Sequence, residues 1–446
     1  MMKKTVLSLI MTVLIVSGCA PKDPEPPIED PVIEKTEEER IILGDERFTE
    51  YLPLLEGKRV ALFTNQTGIV GDLILNEGYA HDDLTPFGQD AYGNELEFGP
   101  HILDVLLEKG IDVVCVFAPE HGFRGTADAG ADVDDYVDEK TGVPILSLYS
   151  EGSLYPSAED MERFDILVCD MQDVGLRYYT YYISMYRLME ACSQYDKTFM
   201  ILDRPDPNGF YVDGPILKEE YQSDIGVLPL PVVYGMTWGE LARMINSEGW
   251  LCTGKDSCDL IVIPCQNYTH QTKSALIMRP SPNLKDMRSV YLYASTCFFE
   301  YTAVSVGRGT DHPFEIYGSP YFEDCEIYDY SFVPASMEGA QYPQYEDEVC
   351  YGRQLLDIPL ENILSAGIDL EYLIEAYEQF HERYPDESFF GSEDYLGHYW
   401  IDYLSGSDEL RTMITEGLNA RQIKEVWRDD LEEFIELRRP YLIYPE

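Results

Sequence analysis

Positive charge is scarce in this chain: 32 lysines and arginines stand against 82 aspartates and glutamates, a formal net charge of -50 over 446 residues. A nucleic-acid partner is excluded, because a polyanion would be repelled from nearly every face. A small anionic ligand is not excluded, since it needs only one local group of arginines. Long apolar runs are also missing. The stretch at residues 6–16 falls short of the roughly 20 residues a membrane-spanning helix needs. No cysteine pair has the C-x-x-C spacing of a zinc site, and neither a resident metal nor another cofactor is expected. No serine has glycine two places before and after it, which removes the nucleophile elbow of an α/β-hydrolase. Gly307-Arg308-Gly309 begins a dinucleotide fingerprint, but His312 occupies the third glycine position. Residues 249–255 approach a phosphate-binding loop, yet Asp256 replaces the Ser or Thr that would hold magnesium.

What is present begins with an address. Lys3 and Lys4 precede the apolar stretch, which closes with Val16-Ser17-Gly18-Cys19. That ending resembles a bacterial lipobox, in which small residues admit a peptidase and the cysteine receives lipid. Residues 1–19 therefore read as a lipoprotein signal peptide, and residues 20–40, rich in Pro, Glu and Asp, as a flexible tether. The mature protein is expected outside the cytoplasm, in contact with a membrane only through a lipid on Cys19. Of the nine later cysteines, Cys115 and Cys169 read as small core residues, and Cys252 and Cys258 flank a loop that an oxidising compartment would allow to be bridged.

The composition, 45% hydrophobic and 26% charged, suffices for a sizeable core and more than one layer. Four apolar runs each end in a dense polar loop. Residues 60–63 precede Thr64-Asn65-Gln66-Thr67-Gly68, and residues 113–118 precede Pro119-Glu120-His121-Gly122-Phe123-Arg124-Gly125. Residues 166–169 precede Asp170-Met171-Gln172-Asp173-Val174-Gly175, and residues 199–202 precede Asp203-Arg204-Pro205-Asp206-Pro207-Asn208-Gly209. Apolar runs of this length, alternating with helical patterns at 102–109, 182–194 and 238–248, predict parallel strands buried on both faces. Such sheets bind ligands outside the carboxyl ends of their strands, where these loops lie. The expected fold is α/β: a Rossmann-like parallel-sheet domain over residues 41–272, then a smaller α+β domain over 273–446 that completes a cleft.

The polar loops offer carboxylates with arginine support. Glu120, His121 and Arg124 stand after one strand, Asp170 and Asp173 with Arg177 after the next, and Asp203 with Arg204 after the third. Two carboxyl groups in one cleft can divide into a protonated acid and an ionised partner, as glycoside hydrolysis requires. Two other classes fit the same residues: a metal-dependent hydrolase using His121 with Asp170 or Asp173, and a non-catalytic sugar- or peptidoglycan-binding lipoprotein whose cleft is walled by some of the 34 tyrosines.

A family resemblance narrows the choice. The four loops, together with Arg177-Tyr178-Tyr179-Thr180-Tyr181, Gly235-Met236-Thr237, Pro280-Ser281-Pro282-Asn283, Ser305-Val306-Gly307-Arg308-Gly309-Thr310 and Pro313-Phe314-Glu315, resemble the exo-lytic β-N-acetylmuramidase family, long catalogued as a domain of unknown function. Residues 82–98 look inserted relative to that pattern, and Asp206 stands where an asparagine is expected. The resemblance implies a cleft between a Rossmann-like and a smaller domain, and removal of N-acetylmuramic acid from the non-reducing end of peptidoglycan fragments. On that footing Glu120 is the expected general acid, next to His121, with Asp170 or Asp173 as its partner and Glu300 a weaker candidate. Arg124, Arg177 or Arg308 is expected to read the lactyl carboxylate, and Asn65, Gln66, Tyr179, Asp203, Arg204 and Asn283 complete the expected substrate-binding set.

Overall fold

Short runs of Val, Ile, Leu and Phe with no polar face become strands only where both sides are covered. The computed structural model describes residues 40–71, 83–90, 92–124, 134–148, 154–255, 257–276 and 278–446. The signal-peptide and lipid-acceptor reading, Cys19 included, lies outside the described residues, as do part of the 82–98 insertion and Gly125. In chain order come α1 (Phe48–Leu55), β1 (Arg59–Phe63), α2 (Ile102–Glu108), β2 (Asp112–Ala118), β3 (Tyr136–Val137), β4 (Pro144–Ser147) and α3 (Ala158–Glu162). Regular alternation follows: β5 (Ile166–Cys169), α4 (Tyr181–Gln194), β6 (Thr198–Leu202), α5 (Trp238–Ser247) and β7 (Asp259–Ile263). These strands form a seven-stranded sheet in the order β3-β4-β2-β1-β5-β6-β7. Every pairing in it is parallel except that of β3 with β4. The chain winds outward from β1 in both directions, so the sheet reverses between β1 and β5, the doubly wound plan.

Successive side chains on a strand point to opposite faces. Val60, Leu62, Ile166, Val168, Met200 and Leu202 enter one core, against Tyr51 and Leu55 of α1 and Ile102 and Leu106 of α2. Their neighbours Ala61, Phe63, Leu167, Cys169, Phe199 and Ile201 enter the other, against α4 and α5.

The second core continues into the rest of the chain. It takes in α6 (Met287–Thr296), then β8 (Ile316–Ser319), β9 (Tyr330–Phe332) and β10 (Cys350–Gln354), which form an antiparallel sheet in the order β8-β10-β9. Helices α7 (Leu360–Ala366), α8 (Glu371–Arg383), α9 (Trp400–Ser405), α10 (Glu409–Thr415) and α11 (Ala420–Arg438) follow. Leu292, Phe298, Leu373, Ile401 and Trp427 share one apolar cluster with Phe63 and Ile201. Ile41–Glu446 accordingly form one compact unit. The chain end is pinned to the main sheet: the buried Tyr444 hydroxyl donates to Asp203 Oδ2 at 2.6 Å and accepts from the Cys265 amide at 2.9 Å.

Two details refine the sequence reading. The 82–98 segment docks on the start of α6, where Phe87 N donates to Lys285 O at 2.7 Å and Asp83 pairs with Arg288 at 2.6 Å. Cys252 and Cys258 are not bridged. Both are free, as are all nine described cysteines. Cys258 is buried, with its amide and carbonyl held by the Asn246 side chain at 2.7 and 3.0 Å, while Cys252 is exposed.

Candidate active site

The carboxyl ends of β5 and β6 are not an open crevice. Arg204, almost wholly buried, donates from Nε to Asp170 Oδ1 and from Nη2 to Asp45 Oδ2, each at 2.7 Å, and to Ile69 O at 3.0 Å. Asp203 accepts from Thr237 Oγ1 at 2.7 Å and from the Gly239 amide at 2.9 Å, so it caps α5. Asp173 accepts from the Tyr234 hydroxyl at 2.5 Å and the Gly175 amide at 2.9 Å, and burial pushes its pKa up to about 6. The space left among these groups is about 10 Å³, at most one water. Asp170, Asp173, Asp203 and Arg204 are therefore corrected from substrate-facing residues to a buried polar layer.

Arg177 is corrected too. Its guanidinium is fully buried and donates to Pro215 O and Leu230 O at 2.8 and 2.6 Å and to Leu404 O at 2.8 Å, tying α4 to α9. Those three backbone acceptors leave it a packing role. Arg124 is largely exposed, pairs with Asp138 beside β3 at 2.8 Å, and does not line the cleft described next. Asn65 is buried and folds its own loop, its Oδ1 accepting from Thr67 N and Oγ1 at 3.0 and 2.6 Å. Gln66 donates to Arg279 O and Pro280 O at 2.9 and 3.2 Å, which ties that loop to the segment before α6.

The open cleft lies beyond β1, where the end of β2 meets the start of α4, α6 and the 300–314 segment, and its volume is about 420 Å³. Glu120 and His121 enter it from the loop after β2, Tyr179, Thr180 and Tyr181 from the turn that opens α4, and Glu300, Arg308 and Phe314 from the C-terminal layer. Thr180 Oγ1 donates a short hydrogen bond to Glu120 Oε2. Arg308 donates from Nε to Glu300 Oε1 at 2.6 Å and lies over the Phe314 ring, 5.0 Å from its centroid. Burial alone would lower the Arg308 pKa; the Glu300 carboxylate overrides it and holds the guanidinium more firmly charged than usual. Arg308 is the only arginine or lysine among the described residues lining the cleft.

The walls are aromatic. The Tyr179 and Tyr181 rings sit 4.6 Å apart, and His121 meets Tyr181 edge-on at 6.3 Å. The Tyr179 hydroxyl is buried with no hydrogen-bond partner, and a buried donor left unpaired in the free protein is a ready contact for a polar ligand. Asn283 lines the same space and donates to Gly339 O at 2.7 Å.

Backbone strain concentrates here. Apart from Gly, Asp and Asn, which tolerate the left-handed region, the described residues with positive φ are His121 (68°), Tyr301 (61°), Phe314 (67°) and Tyr345 (60°), and the first three line the cleft. Bulky residues adopt this region at an energetic cost and tend to do so at functional sites.

Glu120, His121, Tyr179, Asn283 and Arg308 are thus brought together, joined by Glu300. Sequence reasoning gave no role to Thr180, Tyr181 or Trp400; Thr180 and Tyr181 stood inside a quoted motif, and only the fold turns them toward Glu120. Because Asp170 and Asp173 lie in the sealed layer, His121 does not meet them in the cleft. Among the described residues no three His, Cys, Asp or Glu side chains gather as metal ligands.

A doubly wound sheet whose side cleft sets the carboxylates of Glu120, Asp224 and Glu300 among tyrosines, with one arginine beside them, defines a glycosidase-type α/β protein. The chain belongs to the exo-β-N-acetylmuramidase family: residues 93–288 match the family model described as "Exo-beta-N-acetylmuramidase NamZ, N-terminal" and residues 291–444 its C-terminal counterpart. A curated relative, the peptidoglycan β-N-acetylmuramidase NamZ of Bacillus subtilis (strain 168), is 30% identical over 99% of this chain and 100% of that protein. Two crystal structures of DUF1343 family proteins from Bacteroides fragilis NCTC 9343 share the fold. One has a TM-score of 0.77 at 45% identity, the other 0.69 at 26%, each covering 91% of this chain and 99% of the other.

The buried layer makes one prediction. Asp206 accepts from the Asn208 amide at 2.8 Å through Oδ1, while its buried Oδ2 has no partner. Burial, with the nearby Asp173 charge, raises its pKa well above the usual carboxylate range. A pKa raised in the folded state means that the folded chain holds the proton more tightly. Stability is therefore lost as pH rises from the unfolded value of about 4 toward the folded one. Asp206→Asn, which mimics the protonated acid, should come closest to the wild type at about pH 4 and exceed it increasingly toward pH 8 in urea denaturation. A constant gap across that range would show Asp206 to be ionised in the native state.

Proposed function

We infer that this protein is an exo-acting glycoside hydrolase that releases N-acetylmuramic acid from the non-reducing end of peptidoglycan fragments. The single observation that carries the reading is the cleft itself, which brings Glu120 and a Glu300–Arg308 pair into one space walled largely by aromatic side chains. Muramic acid is an anionic sugar. The lone arginine of the cleft supplies the planar fork that a lactyl carboxylate accepts, and the tyrosines supply the apolar faces on which a pyranose ring rests.

Glu120 acts as the general acid. Thr180 donates to Oε2 and orients the carboxyl group, whose proton passes to the leaving glycosidic oxygen. Glu300 takes the partner role first expected of Asp170 or Asp173, because it lines the cleft and they do not. Its carboxylate, held by Arg308, stabilises the positive charge that develops at the reacting centre or steers the sugar's acetamide toward it. His121 and Tyr181 form the wall behind Glu120.

Removing a general acid typically costs about 10²–10⁴-fold in rate, and less for an activated leaving group that needs little protonation. Glu120→Gln should therefore abolish most cleavage of a muramyl disaccharide while sparing much of the activity on an aryl muramide. Near wild-type disaccharide cleavage would end the assignment, and wild-type protein that turns over neither substrate would leave a sugar-binding module in place of an enzyme.

Arg308→Ala should weaken a muramide by about 1.5 to 3 kcal/mol, the range for a charge-assisted contact. The matching glucosaminide, which has no lactyl group, should be affected much less. Equal losses on both would place Arg308 in support of Glu300 alone.

The cellular setting is proposed on the lipobox-like Val16-Ser17-Gly18-Cys19. Among the described residues no helix is long and apolar enough to cross a membrane, so the proposed attachment rests on a diacylglyceryl group at Cys19. Cys19→Ser should move the protein from the membrane to the soluble fraction; unchanged retention would rule the lipid out.

A further inference from the structure

The cleft does not end at Arg308. A second cavity of about 530 Å³ opens beyond it and shares Glu300, Tyr301 and Arg308 with the first. Its outer wall is the segment 339–344. That wall is held in place rather than loose: Gln344 donates to Thr302 O at 2.8 Å, and Asn283 of the inner cleft donates to Gly339 O at 2.7 Å. Gly309 packs so closely on Pro343 that an added Cβ would come within 2.7 Å of it.

The chemistry of the outer cavity differs from that of the inner one. Its only charged lining residues are Glu300 and Arg308, already paired with each other. What remains is Tyr342, 88% exposed, Tyr301, 65% exposed, and the amides of Gln341 and Gln344. Two large aromatic faces left in water beside uncharged amides fit sugar rings, each with one apolar face and a rim of hydroxyl and acetamido groups. Tyr301 also contacts Trp400 of the inner cleft, ring centroids 4.4 Å apart, so the aromatic surface runs unbroken from one cavity to the other.

We propose that this outer cavity is a glycan subsite, in which Tyr301 and Tyr342 hold the N-acetylhexosamine residues on the leaving side of the scissile bond. The proposal rests on the muramidase reading above and adds that the enzyme grips the chain beyond its first sugar. The outer space is no smaller than the inner one, which the reading fills with one muramic acid, so at least one further sugar has room.

The test compares kcat/KM on an aryl muramide, a muramyl disaccharide and the corresponding tetrasaccharide. Wild-type protein should favour the tetrasaccharide over the disaccharide. Tyr342→Ala should lower the ratio of tetrasaccharide to aryl-muramide kcat/KM by about tenfold, the scale of one aromatic anchor, and Tyr342→Trp should restore it. Because Tyr342 is exposed, the alanine variant will fold. A tetrasaccharide advantage that survives Tyr342→Ala, or an advantage seen only when the disaccharide carries a peptide, overturns the subsite while leaving the muramidase reading intact. Absence of turnover on every muramide overturns that reading, and the subsite falls with it.

Discussion

One buried guanidinium fixes the plan of this molecule. Arg204, 7% exposed, stands between Asp170 and Asp45, both with none of their surface exposed, and also holds the Ile69 carbonyl. Burial raises the Asp45 pKa, and Arg204 opposes that shift. Two carboxylates sharing one cation in a dry layer hold together only while all three are present, since removing one partner strands a charge without water. The triad joins the turn before α1, the loop after β1 and the loops after β5 and β6. Those loops close over the reversal point of the sheet, where a doubly wound fold ordinarily opens its crevice.

With that edge sealed, the ligand space shifts to the next strand end. Glu120 leaves β2 outside the triad, and the chain must turn sharply to present it, which His121 does at a φ of 68°. The C-terminal layer supplies the opposite wall through Glu300, Arg308 and Phe314. Arg177 makes this possible without touching the cleft, because its three backbone acceptors lock the start of α4 against α9. The helix that carries Thr180 to Glu120 is positioned by an arginine whose own charge is used up inside. That division of labour separates Arg177 from Arg308 despite their similar appearance in the sequence.

The central strands of the main sheet were legible because they are buried on both faces, whereas the edge pair β3 and β4, partly exposed, was not. A run such as Ile166–Cys169 has no polar side to confuse with a helix, and the polar loop that follows marks its carboxyl end. The small sheet was not legible. Its strands are short, and Ile316–Ser319 and Cys350–Gln354 carry a glycine each, so neither alternation nor an apolar run stands out. Glu120, His121, Tyr179, Asn283 and Arg308, which stand in dense polar or aromatic motifs, line one cleft. Asp170, Asp173 and Arg177 stood in equally dense motifs and went inward. Sequence shows that a carboxylate and an arginine are near each other in the chain, but not whether they neutralise one another in the dark or face a ligand together.

The excess of acid bears on the same distinction. Distributed over the surface, a net charge of -50 is screened within about 8 Å at physiological ionic strength, and its pull on a sugar carboxylate inside a cleft is weak. The nearest fixed charges decide that interaction. Glu300 and Arg308 neutralise each other to first order, so an anionic substrate meets a local dipole instead of a carboxylate wall. In the proposed reading the arginine end of that dipole takes the lactyl group, and the glutamate end lies at the reacting side. An unpaired Glu300 would repel the substrate it serves. The 2.6 Å pair with Arg308 is what lets one carboxylate work beside another anion in so acidic a protein.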